Sequence, residues 1–349
     1  DIRCPWHEVV EVLVGKSSSR RLPGFFNRNI HAPVKRFVSP NFLPTPANKR
    51  VSLMRSVAYN LVKLPVYINS INYIRQRIEA SGADRVINFY ELLTGLTYFL
   101  FRPSVPQICI GHQYLFLHKS FEFPKADKVS LALLKFFTVL TSLGAKERLA
   151  LSFRYMKDDP QNNIRVIPPL LRKEVTLHEP YSGDYIHGYM VNAGFSENVM
   201  KWHRQHPRIP LRFFWDKEPV KRVDNTLSFY QLDDVEFLRQ MAGCKAYAST
   251  AGFESVCEAM YLGKPILMVP AHIEQDCNAY DAEKSGAGII SSDFNLQQLL
   301  EFAKDYHPNR DFVYWVRGAE YTLLNLLESD SSNYQQVLFN EMYLVEEFI

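Results

Sequence analysis

Short apolar runs alternate with longer amphipathic stretches along most of the chain, and the runs end at Gly, Pro or polar turns. The short runs read as buried strands, and the stretches with apolar residues three or four apart read as helices. His7–Val14 is strand-like and closes at Gly15, and Lys16–Asn48, with Pro23, Pro33, Pro40, Pro44 and Pro46, reads as a long loop. Val51–Ala80 predicts a helix kinked or divided at Pro65. Then follow a strand (Arg85–Phe89), a helix (Tyr90–Phe101), a strand (Pro106–Ile110), a helix (Lys128–Leu143) and a strand (Leu149–Phe153). Such alternation predicts the α/β class, with parallel sheets covered on both faces.

Ile164–Leu171 is a further strand that runs into Pro168-Pro169, a stiff exit from a first domain over 1–167. After a linker at 168–184, a second domain over 185–308 opens with the strand Tyr185–Val191 and the turn Asn192-Ala193-Gly194. The helix Ser196–His206, strands Leu211–Trp215 and Leu227–Tyr230, and the helix Asp233–Met241 follow. Next come a strand (Ala246–Ala248), a small-residue turn (Ser249-Thr250-Ala251-Gly252) and a helix (Phe253–Leu262) stopped by Gly263. Ile266–Val269 is a strand, Pro270–Asp276 a loop and Gly288–Ile290 a last strand. From Asn295 the pattern is helical, broken near His307-Pro308 and Ser329–Ser332, and residues 309–349 are expected as terminal helices.

Composition changes this picture little. A chain of 349 residues suits two domains, and 47% hydrophobic with 22% charged residues is ordinary for a globular protein. No apolar run is long enough to cross a membrane as a helix. Five scattered cysteines (Cys4, Cys109, Cys244, Cys257, Cys277) form no CxxC pair, which argues for reduced thiols, a cytoplasmic setting and no zinc site.

Charge adds more. The net charge is only +3, yet no Asp or Glu occurs between Val12 and Ile78. The basic segment 16–77 carries Arg20, Arg21, Lys35, Arg36, Lys49, Arg50 and Lys63 among Phe25, Phe26, Phe37, Phe42 and Val66. It reads either as a basic face that balances acids elsewhere or as a contact with an anionic surface. The interleaved apolar residues favour anionic lipid, or a phosphate-bearing lipid acceptor, at a peripheral position on the membrane. No motif supports nucleic acid.

The chemistry concentrates in Cys244–Ala279. A strand that enters a helix through Ser249-Thr250-Ala251-Gly252 points free backbone N–H groups at one spot, and the helix macrodipole adds positive charge there. Thr250, Gly252 and Ser255 thus suit a phosphate or diphosphate, the plain alternative being a capped helix. His112, at the end of the strand Pro106–Ile110, is a candidate base or a structural histidine, and Asn88, Tyr90 and Glu91 follow the neighbouring strand toward an acceptor pocket. No GxSxG elbow, Walker A loop or GxGxxG fingerprint occurs, which leaves hydrolase, NTPase and dehydrogenase readings without support.

The run Thr250-Ala251-Gly252-Phe253-Glu254-Ser255, then Glu258, Gly263-x-Pro265, Pro270, Glu274-Gln275 and Asn278-Ala279, resembles the donor-sugar signature of GT-B glycosyltransferases. It is most similar to the UDP-glycosyltransferases and MurG-like enzymes, although those families often place His where Thr250 stands and Asn or Leu near Glu254. The resemblance implies two Rossmann-like doubly wound domains facing a cleft, with C-terminal helices crossing back to the first. It implies a UDP-sugar donor, transfer to an acceptor hydroxyl with inversion, and no bound cofactor or metal. Glu258 would hold the ribose hydroxyls, Glu274 and Gln275 the sugar, and Tyr230 and Gln231 the base, with Glu254 in the same nucleotide-sugar site; the turn Asn192-Ala193-Gly194, after the first strand of the second domain, reads as a second phosphate-side loop through Gly194. In such folds an opening strand, glycine-rich loop and helix precede a strand like His7–Val14, so that unit is expected to be missing here. A UDP-sugar epimerase on the same fold and a non-catalytic nucleotide-sugar or lipid-binding module are the alternatives.

Overall fold

The computed structural model describes residues 7–16, 30–41, 53–191, 193–215 and 221–328. Strands β1 (Val12–Lys16) and β2 (Val34–Val38) form a two-stranded parallel sheet. The expected loop 16–48 thus contains a strand: Val34, Phe37 and Val38 supply a β-branched and aromatic core despite Lys35 and Arg36 between them. The chain then forms helices α1 (Leu53–Val62) and α2 (Leu64–Ser81), divided at Lys63 with Pro65 in the first turn of α2, where proline is tolerated.

β3 (Val86–Asn88), α3 (Leu92–Phe101), β4 (Gln107–Ile110), α4 (Lys128–Thr141), β5 (Ala145–Leu151) and β6 (Ile164–Ile167) build a parallel sheet in the order β3-β4-β5-β6. Phe37, Ile71, Ile74, Leu93 and Tyr98 join β2, α2 and α3 in one core, against which Leu13 of β1 and Val86 of β3 also pack.

After the short helix α5 (Lys173–Thr176), the second unit comprises β7 (Ile186–Tyr189), α6 (Ser196–Gln205), β8 (Leu211–Trp215), β9 (Lys221–Arg222), β10 (Leu227–Gln231) and α7 (Asp234–Gly243). It continues through β11 (Ala246–Ser249), α8 (Phe253–Tyr261), β12 (Ile266–Met268), α9 (Ile273–Lys284), β13 (Gly288–Ile290) and α10 (Leu296–Phe302). Its sheet order is β13-β12-β11-β7-β8-β10-β9, parallel except for the edge strand β9. The Asp233 carboxylate caps α7 by accepting the Glu236 N–H, and Gly263, at φ +66°, ends α8 as its sequence position predicts.

The expected loop Pro270–Asp276 is shorter than predicted, because α9 starts at Ile273. Its polar cluster of Glu274 and Asp276 is what a helix favours in its first turn, where carboxylates face the positive end of the dipole.

Two last helices, α11 (Arg310–Arg317) and α12 (Ala319–Glu328), return toward the first unit. α11 packs on α8 and α12 on β6. The indole N–H of Trp315 donates to the Ser152 carbonyl at 2.9 Å. Phe312, Val316, Leu323 and Leu326 share one buried cluster with Ile110, Leu149 and Ile167 of the first sheet and Tyr247, Val256 and Met260 of the second. The crossing expected of Phe312–Leu327 is therefore present, whereas Tyr334–Phe348 lies outside the described residues. Among the described residues no helix is long and apolar enough to cross a membrane.

Candidate functional site

The larger sheet reverses its winding beside β7. From β7 the chain lays down β8 and β10 on one side, then returns to build β11, β12 and β13 on the other. The loops leaving β7 and β11 diverge at their carboxyl ends, and such a crevice is where open α/β sheets take ligands. Thr250 ties the two loops together: its N–H donates to the Tyr189 carbonyl, and its hydroxyl accepts the Val191 N–H, both at 3.3 Å. Gly194 lies in the one-turn helix that follows on the β7 side, while Asn192 is outside the described residues.

The β11–α8 turn holds strain. Ala251 is fully buried at φ +60°, a left-handed conformation that costs an L-residue about 1–2 kcal/mol. Its N–H donates to Ser249 Oγ at 3.2 Å, and its carbonyl accepts from Asn278 Nδ2 at 3.5 Å. Gly252 next to it adopts φ −66° and ψ 134°, open to any residue, and a β-carbon there meets only Ser255 Oγ at 3.8 Å. Nothing in the fold demands glycine at 252. What its missing side chain preserves is open space in front of the helix start.

Helix α8 begins at that space without a side-chain cap from its N-cap residue. Its first N–H groups and its dipole therefore suit an anion. Ser255 donates its hydroxyl to the Gly252 carbonyl at 3.2 Å. Glu254, in the same turn, is exposed and folds its carboxylate onto its own N–H.

Glu258 lies three residues beyond Ser255 on the same helix face and is 3% exposed. Its Oε1 accepts from Arg172 Nε at 2.7 Å and lies 2.6 Å from Nη2. Burial pushes the Glu258 carboxyl above the usual range, and the Arg172 charge opposes that shift.

Glu274 and Gln275 open α9. Gln275 accepts the Ala271 N–H at 2.9 Å, while Glu274 reaches across to the first unit and accepts from Gln113 Nε2 at 2.8 Å. Burial raises the Glu274 carboxyl, and the Gln113 bond opposes it. Tyr230 stacks on Phe214 at 5.2 Å and 26°, and Gln231 follows it at the carboxyl end of β10.

His112 sits between the units at 2% exposure. Its ring stacks on Phe253, the first residue of α8, at 4.1 Å and 18°, with Phe153 edge-on at 5.2 Å. Nδ1 is 2.7 Å from the Leu151 carbonyl and so carries the hydrogen, which leaves the enclosed Nε2 with a lone pair and no partner. Burial holds its pKa below 6.5 against the field of Asp281. Burial thus favours the neutral imidazole over the charged ring.

The three residues expected at an acceptor pocket serve the first unit internally. Asn88 donates to the Thr141 carbonyl at 2.9 Å and accepts the Glu91 N–H at 2.7 Å. Glu91 caps α3 through the Leu93 N–H and also accepts from Ser39 Oγ at 3.0 Å. The Tyr90 hydroxyl lies 2.8 Å from Thr138 Oγ1. A polar residue at a strand's carboxyl end, just before a helix, is well placed to bond nearby backbone, as Asn88 and Glu91 do. A cavity of about 410 Å³ lined by Phe116, His118, Phe121, Lys135 and Arg148 lies elsewhere, beside α4, and includes none of the crevice residues.

Sequence reasoning missed Arg172, Gln113 and the clamp from Asn278 to Ala251. Arg172 stands 86 residues from Glu258, and no local pattern signals such a pair. Among the described residues no group of three His, Cys, Asp or Glu is placed to hold a metal ion.

Two Rossmann-like units with helices returning from the second to the first define the GT-B glycosyltransferase architecture, and solved structures share it at low identity. UGT89C1 of Arabidopsis thaliana complexed with UDP superimposes with a TM-score of 0.56 and 13% identity, covering 95% of this chain and 91% of that one. UGT2 of Phytolacca americana, complexed with UDP-2-fluoro-glucose and pterostilbene, gives 0.54 and 11% over 95% and 90%. The glycotransferase of kitacinnamycin gives 0.52 and 12% over 85% and 86%. No curated protein sequence matches the chain. The family described as glycosyl transferase family 1 matches residues 31–306. The chain belongs to that family, and it is a glycosyltransferase.

Proposed function

We propose that the crevice between the β7 and β11 loops binds a UDP-sugar, whose glycosyl group passes to a hydroxyl of an acceptor held by the first unit. The observation that carries this reading is the start of α8 behind Gly252, an N-cap residue that supplies no side-chain cap, with the Glu258 carboxylate one turn deeper on the same face. The diphosphate meets the first-turn N–H groups and Ser255, and Glu258 accepts the two ribose hydroxyls. Glu274 and Gln275 face the sugar, and Tyr230 and Gln231 the base. UDP stands in the names of several similar structures, which supports uridine as the nucleoside.

Transfer is a direct displacement with inversion. The acceptor oxygen bonds to the anomeric carbon, the bond from that carbon to the diphosphate oxygen breaks, UDP leaves, and the hydroxyl proton passes to a base. Helix N–H groups stabilise the charge that develops on the leaving diphosphate. His112, a neutral imidazole with a lone pair on Nε2, has the tautomer a base needs, and its enclosure means that the role requires the units to part.

An anionic membrane surface is a second proposed neighbour. Val62, 83% exposed, stands with Leu61, Leu64 and Ile68 around Lys63, although Arg77 of the basic segment is paired with Glu11.

Incubation with a panel of UDP-sugars and hydroxyl acceptors, followed by proton NMR of the product, tests the reaction. UDP release with an inverted anomeric centre supports it. A changed sugar without an acceptor product indicates epimerisation, and UDP-sugar binding without turnover indicates a binding module; either contradicts it.

A further inference from the structure

The cavity of about 410 Å³ beside α4 takes no part in the transfer described above. Its volume falls in the range of about 300–1,000 Å³ found for pockets that bury small ligands. Asn162, in the turn before β6, and Arg148, which pairs with the first residue of that strand, place it toward the amino end of β6. The crevice opens instead at the carboxyl ends of β7 and β11.

One side of the cavity is aromatic. Phe116, Phe121 and Phe123 form one cluster, with ring centroids 4.8–6.3 Å apart and planes inclined by 55–72°. Local structure brings them together: Phe116 lies in the short helix His112–Leu117, and the chain then turns back as the Phe121 N–H donates to the His118 carbonyl at 3.1 Å. Rings inclined in this way offer both edges and faces to a planar aromatic guest.

The other side is cationic. Lys119, Lys135 and Arg148 line the cavity, and no Asp or Glu does. Lys119 has an acid nearby, its Nζ lying 4.0 Å from Oδ1 of the buried Asp159. Lys135 has none among the described residues and sits over the Phe123 ring, with Nζ 4.2 Å from the centroid. Arg148 is half-buried and fixed by neutral acceptors alone. Its Nε donates to Ser142 Oγ at 2.8 Å and its Nη1 to the Asn162 carbonyl at 2.7 Å. Those two bonds aim the guanidinium and leave Nη2 for another acceptor. A half-buried cation without a carboxylate partner favours an anion, because a charge-assisted bond offsets its lost hydration.

We propose that this cavity binds a small aromatic acid, a planar ring system that carries one carboxylate, sulfonate or phosphate. The rings lie against Phe116, Phe121 and Phe123, and the acid group meets Arg148, with Lys135 at the mouth. The site is separate from the donor crevice and does not rest on the UDP-sugar reading.

Fluorescence titration with anilinonaphthalene sulfonate, an aromatic acid, and with phenylnaphthylamine, the same rings without the acid, separates the two sides of the cavity. The proteins are wild type, Arg148→Gln and Lys135→Glu; Lys135 is exposed, so its variant keeps the fold even if the loss of Arg148 disturbs it. The expected result is saturable one-to-one binding of the sulfonate by wild type, weaker by about tenfold in each variant, the size of one charge-assisted hydrogen bond. Affinity for the uncharged amine is expected to be equal in wild type and Lys135→Glu, and saturating UDP is expected to leave the sulfonate bound. An unchanged sulfonate affinity in either variant, an equal loss for sulfonate and amine in Lys135→Glu, or the absence of saturable sulfonate binding by wild type overturns the site. Displacement of the sulfonate by UDP overturns its separation from the crevice.

Discussion

At the scale of single residues, burial decides what each titratable group does. His187 lies at the centre of β7 among Phe214, Phe237 and Tyr247, and burial lowers its pKa from 6.5 to about 3. In the unfolded chain the imidazole takes a proton near 6.5, so acid favours unfolding: the His187 contribution is fully present above 6.5, falls as pH drops toward 3 and is constant below. His187→Phe is expected to flatten the acid limb of the stability profile between those limits, relative to wild type, in thermal unfolding at a series of pH values. An unchanged limb would show that the ring is not the group responsible. Legibility at this scale was uneven. That Thr250, Gly252, Ser255 and Glu258 gather at one turn and the helix it opens was legible, because a strand–turn–helix run fixes their spacing, and their role as ligands is what the proposed function adds. The backbone bonds of Asn88 and Glu91 were not legible, since a sequence does not show which polar side chains at a strand end bond the neighbouring turn.

The turn between β11 and α8 is the element on which the account rests, and its two adjacent small residues have opposite meanings. Ala251 is buried and left-handed, so Ala251→Val adds a β-branched side chain where neither space nor backbone admits one. Chemical denaturation is expected to show a loss of about 2 kcal/mol or more. Gly252 sits in ordinary extended backbone facing open space. Gly252→Ala is expected to stabilise the fold by about 0.5 kcal/mol, through a less flexible unfolded chain, while lowering UDP affinity in the same preparation. Equal UDP affinity in that variant would remove the reason to place a phosphate there. The elements were largely legible. The helix-breaking Lys63-Leu64-Pro65, the Asp233 cap and the Gly263 stop all act locally, whereas β2 was hidden by Lys35 and Arg36, and the start of α9 by its acidic first turn.

Across the whole molecule, the described units behave as one body in this state. One apolar cluster runs through both sheets, and Arg154 crosses to Asp281 and to Ser285 Oγ, the latter at 2.8 Å. Calorimetric unfolding is therefore expected to show a single cooperative transition, and two resolved transitions would contradict a shared core. This closure also seals His112 against Phe253. The strand–helix alternation foretold both units, because it is written in local periodicity. The contacts between them, Gln113 with Glu274 and Arg172 with Glu258, join residues 161 and 86 positions apart and leave no local trace.

The most direct test of the donor site is calorimetric titration of UDP, with GDP and ADP as controls, into wild type and Glu258→Gln. Selective UDP binding that weakens by about tenfold to a hundredfold in the variant is the predicted result, equivalent to about 1.5–3 kcal/mol for hydrogen bonds to a charged group. Binding of none of the three nucleotides, or equal UDP affinity in the two proteins, would contradict the assignment of this crevice as the nucleotide-sugar site.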